Sequence, residues 1–245
     1  MMTADLALAI LINRTAEFFQ ANPPIYMTYT ERTHISAPSL GRSEDVNRSV
    51  AVRVADNFAV MQDLPQGAQR TGQAFPFPAY FDPFSSFSYS YYASPKRVDV
   101  TVHQGQLEFF PTPPPDPGVN VVVAYNSYWA ARYAPDSTDT ALHLLVEPTP
   151  RVQGLYPSEI VEDAGSHLPS HVEMRATGGD NEVISFDYKV IGGYWVLTHA
   201  AFAASQHALG VSFKTNTDVT FNDIAFPPEP PDPRLAGTPM PTSSP

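Results

Sequence analysis

The chain contains no cysteine. That excludes disulfides, thiolate metal sites and cysteine nucleophiles together. Positive charge is scarce, and only three lysines occur: Lys96, Lys189 and Lys214. With a formal net charge of −11, no basic face is available to displace counterions from nucleic acid or to approach an anionic membrane surface. Charged residues make up 16% of the chain, below the usual quarter. Long apolar runs are missing as well. The longest near the N-terminus, LALAILI at 6–12, is too short to span a bilayer. It lacks the basic flank and small-residue cleavage site of a signal peptide, and is read as the buried face of a helix.

What remains is a chain of 245 residues that is 43% hydrophobic and 12% aromatic, enough to build a core. Residues 3–21 predict one helix, with Thr3 as N-cap, Asp5 in the positive first turn, and Leu6, Ile10, Leu11 and Phe18 on one stripe. Asn22-Pro23-Pro24 stops it. Beyond it, period-2 alternation dominates. Val50, Val52 and Val54 alternate with polar or small residues, as do Val98, Val100 and Val102. Asp56-Asn57 and Gln104-Gly105 read as tight turns, and Pro135-Asp136-Ser137 as the centre of a third hairpin. Residues 155–203 give the clearest meander, four strands with turns at 163–167, 177–180 and Gly192-Gly193. A last strand or pair covers 211–226. The fold class is therefore mostly β (α+β) with antiparallel strands.

Two segments stand apart. Residues 75–95 pack nine aromatics among four prolines and predict loop or edge rather than central strand. Residues 227–245 hold eight prolines and no aromatic, which predicts a disordered tail beyond a single domain at 1–226.

Three patterns carry a family resemblance: VHQGQLEFFP at 102–111, LHLLVEPTP at 142–150, and EDAGSHLPSHVEMRATGGDNEVISFDY at 162–188. The last places Asp163, Leu168-Pro169, Val172, Gly179 and Tyr188 at turns and strand ends. Together they resemble the periplasmic outer-membrane lipoprotein-carrier and lipoprotein-sorting family, the LolA/LolB-like fold. The resemblance covers about residues 3–226 and marks structure rather than chemistry. It implies an incomplete, half-barrel of about eleven antiparallel strands around an apolar cavity. It also implies a periplasmic or cell-envelope location after export, and carriage of a lipid, lipoprotein acyl chain or other apolar ligand without a cofactor. A protein partner in the envelope is a further implication. The alternatives are a cofactor-free enzyme on the same scaffold and an envelope interaction module.

The candidate ligand-binding residues follow from that reading. Phe75, Phe77, Tyr80, Phe81, Phe84, Phe87, Tyr89, Tyr91 and Tyr92 are read as a lid or cavity lining, with Trp195 at a sheet end or cavity mouth. No catalytic residue is assigned, because G-x-S-x-G and H-E-x-x-H are both absent. His167 and His171 are separated by a proline that breaks helical metal-ligand spacing, so no metal site is assigned. His103, His143 and His199 fall opposite the main apolar set and are read as solvent-facing. The carboxylate pairs Glu162-Asp163 and Asp56 with Asp63 are read as turn residues.

Overall fold

A computed structural model describes the backbone of residues 2–8, 10, 11, 14, 24–73, 86–93, 96–103, 106–110, 129–148, 152–176, 183–208 and 211–237. Side chains are described for these residues except 73, 86–93, 96–103, 106–110, 129, 152–155, 205–208 and 211–213. Among the described residues fourteen strands are assigned, in the open antiparallel arrangement that the family resemblance implied. All registered pairings are antiparallel, and the described residues are mostly β with one short N-terminal helix. The chain divides into two compact units: residues 1–18, 82–186 and 203–205, and residues 19–81, 187–202 and 206–245.

The first unit begins with the helix. Residues 4–8, 10, 11 and 14 are helical. The Thr3 hydroxyl accepts from the Leu6 amide at 3.3 Å, the N-cap expected from sequence. Asp5 does more than complement the helix dipole, since its Oδ1 accepts the Ala131 amide at 2.8 Å. Its strands are β5 (Ser86–Ala93), β6 (Lys96–His103), β7 (Gln106–Phe110), β8 (Trp129–Tyr133), β9 (Ala141–Pro148), β10 (Val152–Asp163), β11 (Pro169–Ala176) and the start of β12 (Val183–Ile191). The order runs β12-β11-β10-β5-β6-β7, with β9 and then β8 branching from β10, and it does not close on itself.

β5 corrects one expectation. The aromatic segment is not only loop or edge, because Tyr89 and Tyr91 pair with Val100 and Val98 on one side and with Gly154 and Val152 on the other. The reason lies in the proline spacing: Pro83 and Pro95 flank residues 84–94, which contain none. Ser and aromatic residues alternate there, a period-2 pattern suited to a strand.

The second unit contains β1 (Tyr26–Ala37), β2 (Arg42–Arg53), β3 (Phe58–Asp63), β4 (Gln69–Gln73), the rest of β12, β13 (Tyr194–Ala208) and β14 (Val211–Ala225). Their order is β4-β3-β2-β1-β14-β13-β12, again an open run. The turn at Gly192-Gly193 holds as expected, with φ of 59° and 86° that only glycine adopts without strain. The 56–57 turn is slightly longer than expected. Val54–Asp56 makes a 3-10 turn and Asn57 takes φ 52° before Phe58 pairs back with Arg53.

A second correction concerns the C-terminal segment. Residues 227–237 are not a disordered tail. Pro233–Leu235 form a 3-10 turn capped by Asp232, whose side chain accepts the Arg234 amide, and Leu235 is fully buried. Arg53 ties this turn to the sheet: its Nη1 donates to the carbonyls of Leu235 at 3.0 Å and Gly237 at 2.8 Å. Its Nε and Nη2 form a forked pair with Asp56 at 2.9 and 2.6 Å. One buried guanidinium thus uses its planar fork on a carboxylate and two backbone acceptors. The proline count alone obscured this, because the signal is the single apolar Leu235. Residues 238–245 lie outside the described residues.

Candidate functional site

The inner face of the second unit is built by strand alternation. Met27, Tyr29 and Glu31 on β1 point one way, opposite Val52, Val50 and Arg48 on β2. Phe221 on β14 lies across from Glu31 in register. Met27, Tyr29, Val50, Val52, Val219 and Phe221 are all buried. Tyr29 meets Phe221 edge to face, with ring centroids 5.5 Å apart.

This apolar floor ends at a charged border. Arg48 donates to Glu31 Oε1 through Nη1 and to Asp63 Oδ1 through Nε, both at 3.2 Å. Thr33 adds a hydroxyl donation to Glu31 at 3.0 Å. The carboxylates of Glu31 and Asp63 are therefore both held by Arg48, and Arg70 approaches Asp63 at 3.6 Å. Between floor and border sits the Tyr29 hydroxyl. It is buried and, among the described residues, has no hydrogen-bond partner. Burial pushes the phenol pKa up, Glu31 adds to the rise, and Arg48 opposes it, so the group is a neutral donor. An unpartnered buried hydroxyl costs about 1–3 kcal/mol, so its place on this face calls for a reason.

A second cluster lies in the first unit at the turn between β10 and β11. The Asp163 amide bonds to the Leu168 carbonyl at 3.0 Å, and Asp163 Oδ1 accepts the Ser166 amide and hydroxyl at 2.7 Å each. These bonds lower the Asp163 pKa, and the local role read from sequence stands for this residue. Glu162 departs from that reading. It is fully buried, its Oε1 meets His167 Nδ1 at 2.5 Å, and its Oε2 has no partner among the described residues. Desolvation raises the Glu162 pKa, while the His167 contact acts against it. His167 stands at φ 57°, a left-handed conformation uncommon outside glycine. Tyr133 is close enough for Glu162 to help raise its pKa, after burial, and donates its hydroxyl to the Met2 carbonyl at 3.0 Å.

The residues singled out in sequence are placed unevenly. Phe75, Phe77, Tyr80, Phe81 and Phe84 lie outside the described residues. Phe87, Tyr89, Tyr91 and Tyr92 are on β5, described by backbone only. Trp195 is buried and stacks on Tyr188 with centroids 4.2 Å apart. Asp56 and Asp63 each engage their own arginine rather than each other. Among the described residues, no group of three or more His, Asp or Glu is placed to hold a metal ion. No described helix is long and apolar enough to cross a membrane.

No family profile and no curated protein matches this sequence. Several solved structures are similar in the run of their strands. A LolA superfamily protein from Nitrosomonas europaea aligns over 93% of this chain and 94% of its own, at 10% identity and a TM-score of 0.36. A DUF1329 family protein from Desulfovibrio piger aligns over 89% and 92%, at 10% identity and a TM-score of 0.39. A domain described as a putative outer membrane lipoprotein-sorting protein, from Vibrio parahaemolyticus, aligns over 87% and 91%, at 12% identity and a TM-score of 0.38. At these scores and identities they assign no ligand or activity to this chain.

Proposed function

We propose that the protein is a cell-envelope binding protein that seats an apolar or amphipathic molecule on the inner face of its second unit. The Tyr29 hydroxyl carries this reading. It is a buried donor without a partner, set between an apolar floor and the Arg48 border. A ligand with an acceptor near the end of an apolar body would satisfy the hydroxyl, and to reach it would displace the protein groups that already bury Val50, Val52, Met27 and Phe221. Each methylene so buried contributes about 0.8 kcal/mol, so an acyl chain needs few polar contacts. The sequence resemblance to lipoprotein carriers leads to the same class of ligand. Phe75, Phe77, Tyr80 and Phe81, which belong to the second unit, are the proposed cover.

The test uses the full chain and the apolar fluorophore Nile red. Binding that is displaced by a long-chain fatty acid and weakened several-fold in Val50→Asp supports the reading. Absence of saturable binding in a folded protein overturns it.

One observation favours a second reading, a cofactor-free enzyme. His167 offers Nδ1 to a buried carboxylate, and its Nε2 has no partner among the described residues, an arrangement suited to a general base. Its discriminator is a turnover that disappears in His167→Gln while Nile red binding persists.

A further inference from the structure

The second unit carries, on the face of β1 away from Tyr29, a row that crosses five adjacent strands. In order it is Asp45 on β2, His34 on β1, Asp218 on β14, His199 on β13 and Asp187 on β12. His34 is the register partner of Asp45 on one side and of Asp218 on the other. His34 Nδ1 lies 2.7 Å from Asp45 Oδ1. His199 lies between two carboxylates, with Nδ1 2.8 Å from Asp187 Oδ2 and Nε2 2.8 Å from Asp218 Oδ2. Acid and imidazole therefore alternate along the whole row.

We propose that this row is a proton-operated staple: protonation of His199 adds side-chain ties across β12, β13 and β14 to their backbone pairing, and deprotonation removes one of those ties. The argument is one of donors. A neutral imidazole has a single N–H and can donate to only one of two carboxylates, leaving a lone pair facing the other. Both nitrogens of His199 stand at hydrogen-bond distance from carboxylate oxygens, so only the imidazolium satisfies the geometry. His34 sits next along the same row, with Asp218 as its register partner.

The other charged groups near the row are few. By alternation Arg32, two residues before His34, and Lys189, two residues after Asp187, lie on the same side of their strands. Neither stands between His199 and its two carboxylates. Burial pulls the His199 pKa down, but the bonds to Asp218 and Asp187 outweigh it and hold the folded value above the ordinary one. A raised folded pKa means that the staple's contribution is complete below the unfolded value of about 6.5 and is lost as pH rises through the folded value.

The device stands whether or not the inner face binds a ligand. It is tested by proton NMR titration of the histidine C2 resonances in the full chain, assigned through His199→Gln. The wild-type His199 midpoint is expected above about 6.5, and Asp218→Asn is expected to move it down toward that value. Thermal melting should be higher at about pH 5.5 than at about pH 8, with the difference reduced in His199→Gln. A wild-type midpoint at or below the ordinary value overturns the proposal. So does a midpoint that Asp218→Asn leaves in place. If Asp218→Asn does not fold, the wild-type titration alone decides.

Discussion

Glu162 and His167 meet across the turn that joins β10 to β11, Oε1 to Nδ1 at 2.5 Å, with the carboxylate fully buried and its second oxygen unpartnered. A charge in that position gains one strong hydrogen bond and loses all of its hydration. Desolvation dominates, and the folded pKa is raised. Stability from this group is therefore fully present below the unfolded carboxyl value and declines as pH rises through the folded value. Glu162→Gln keeps an acceptor for His167 and removes the charge. It should flatten the acid-side slope of denaturant stability against pH, and be neutral or stabilising near neutrality. A variant with an unchanged slope would show that Glu162 is not the titrating group.

Arg53 should be among the most sensitive positions. Arg53→Ala removes the guanidinium that pairs with the buried Asp56 and releases the carbonyls of Leu235 and Gly237. A loss of about 3–5 kcal/mol is expected. Proteolysis at residues 228–237 should accelerate in the same variant, because the guanidinium holds that turn. Loss of stability without faster cleavage there would separate the salt bridge from the tether.

The β12–β13 turn makes a paired prediction. Gly193→Ala introduces a side chain at φ 86° with open space around it, so it costs about 1–2 kcal/mol from backbone strain alone. Gly192→Ala adds a contact to the same kind of strain, since its Cβ would stand 3.3 Å from the Phe226 ring. Chemical denaturation should rank Gly192→Ala below Gly193→Ala in stability.

Tyr29→Phe separates stability from binding. Removing an unpartnered buried hydroxyl should leave the ligand-free protein as stable as before, or more so by about 1 kcal/mol. The same change should weaken ligand retention. A parallel loss of both would mean that the hydroxyl serves the fold.

Much of the fold was legible because alternation survives wherever one face of a strand is buried. Val50, Val52, Val98, Val100, Phe186 and Tyr188 all announced strands that the structure contains. The Gly192-Gly193 pair marked its turn through a left-handed backbone that glycine adopts at the least cost. Residues 31–49 were harder. They form long paired stretches of β1 and β2, yet carry few apolar residues, because much of that hairpin is exposed on both faces. Site features were less legible still. Tyr29 looks like any alternating aromatic, and the missing partner of its hydroxyl is a fact of three dimensions. Glu162 sits beside a turn aspartate and was read with it, although strand parity from Ile160 places it on the buried side. His34 and His199 are far apart in sequence, and only the strand order brings Asp218 between them.

The central claim is that the inner face of the second unit holds an apolar or amphipathic molecule. Native mass spectrometry of the full chain, purified without detergent from the cell envelope and followed by lipid extraction, tests it most directly. The account predicts an extractable adduct on the wild type that is depleted on Tyr29→Phe and absent from Val50→Asp. A bare protein mass from folded wild-type protein, with nothing recovered on extraction, would contradict it.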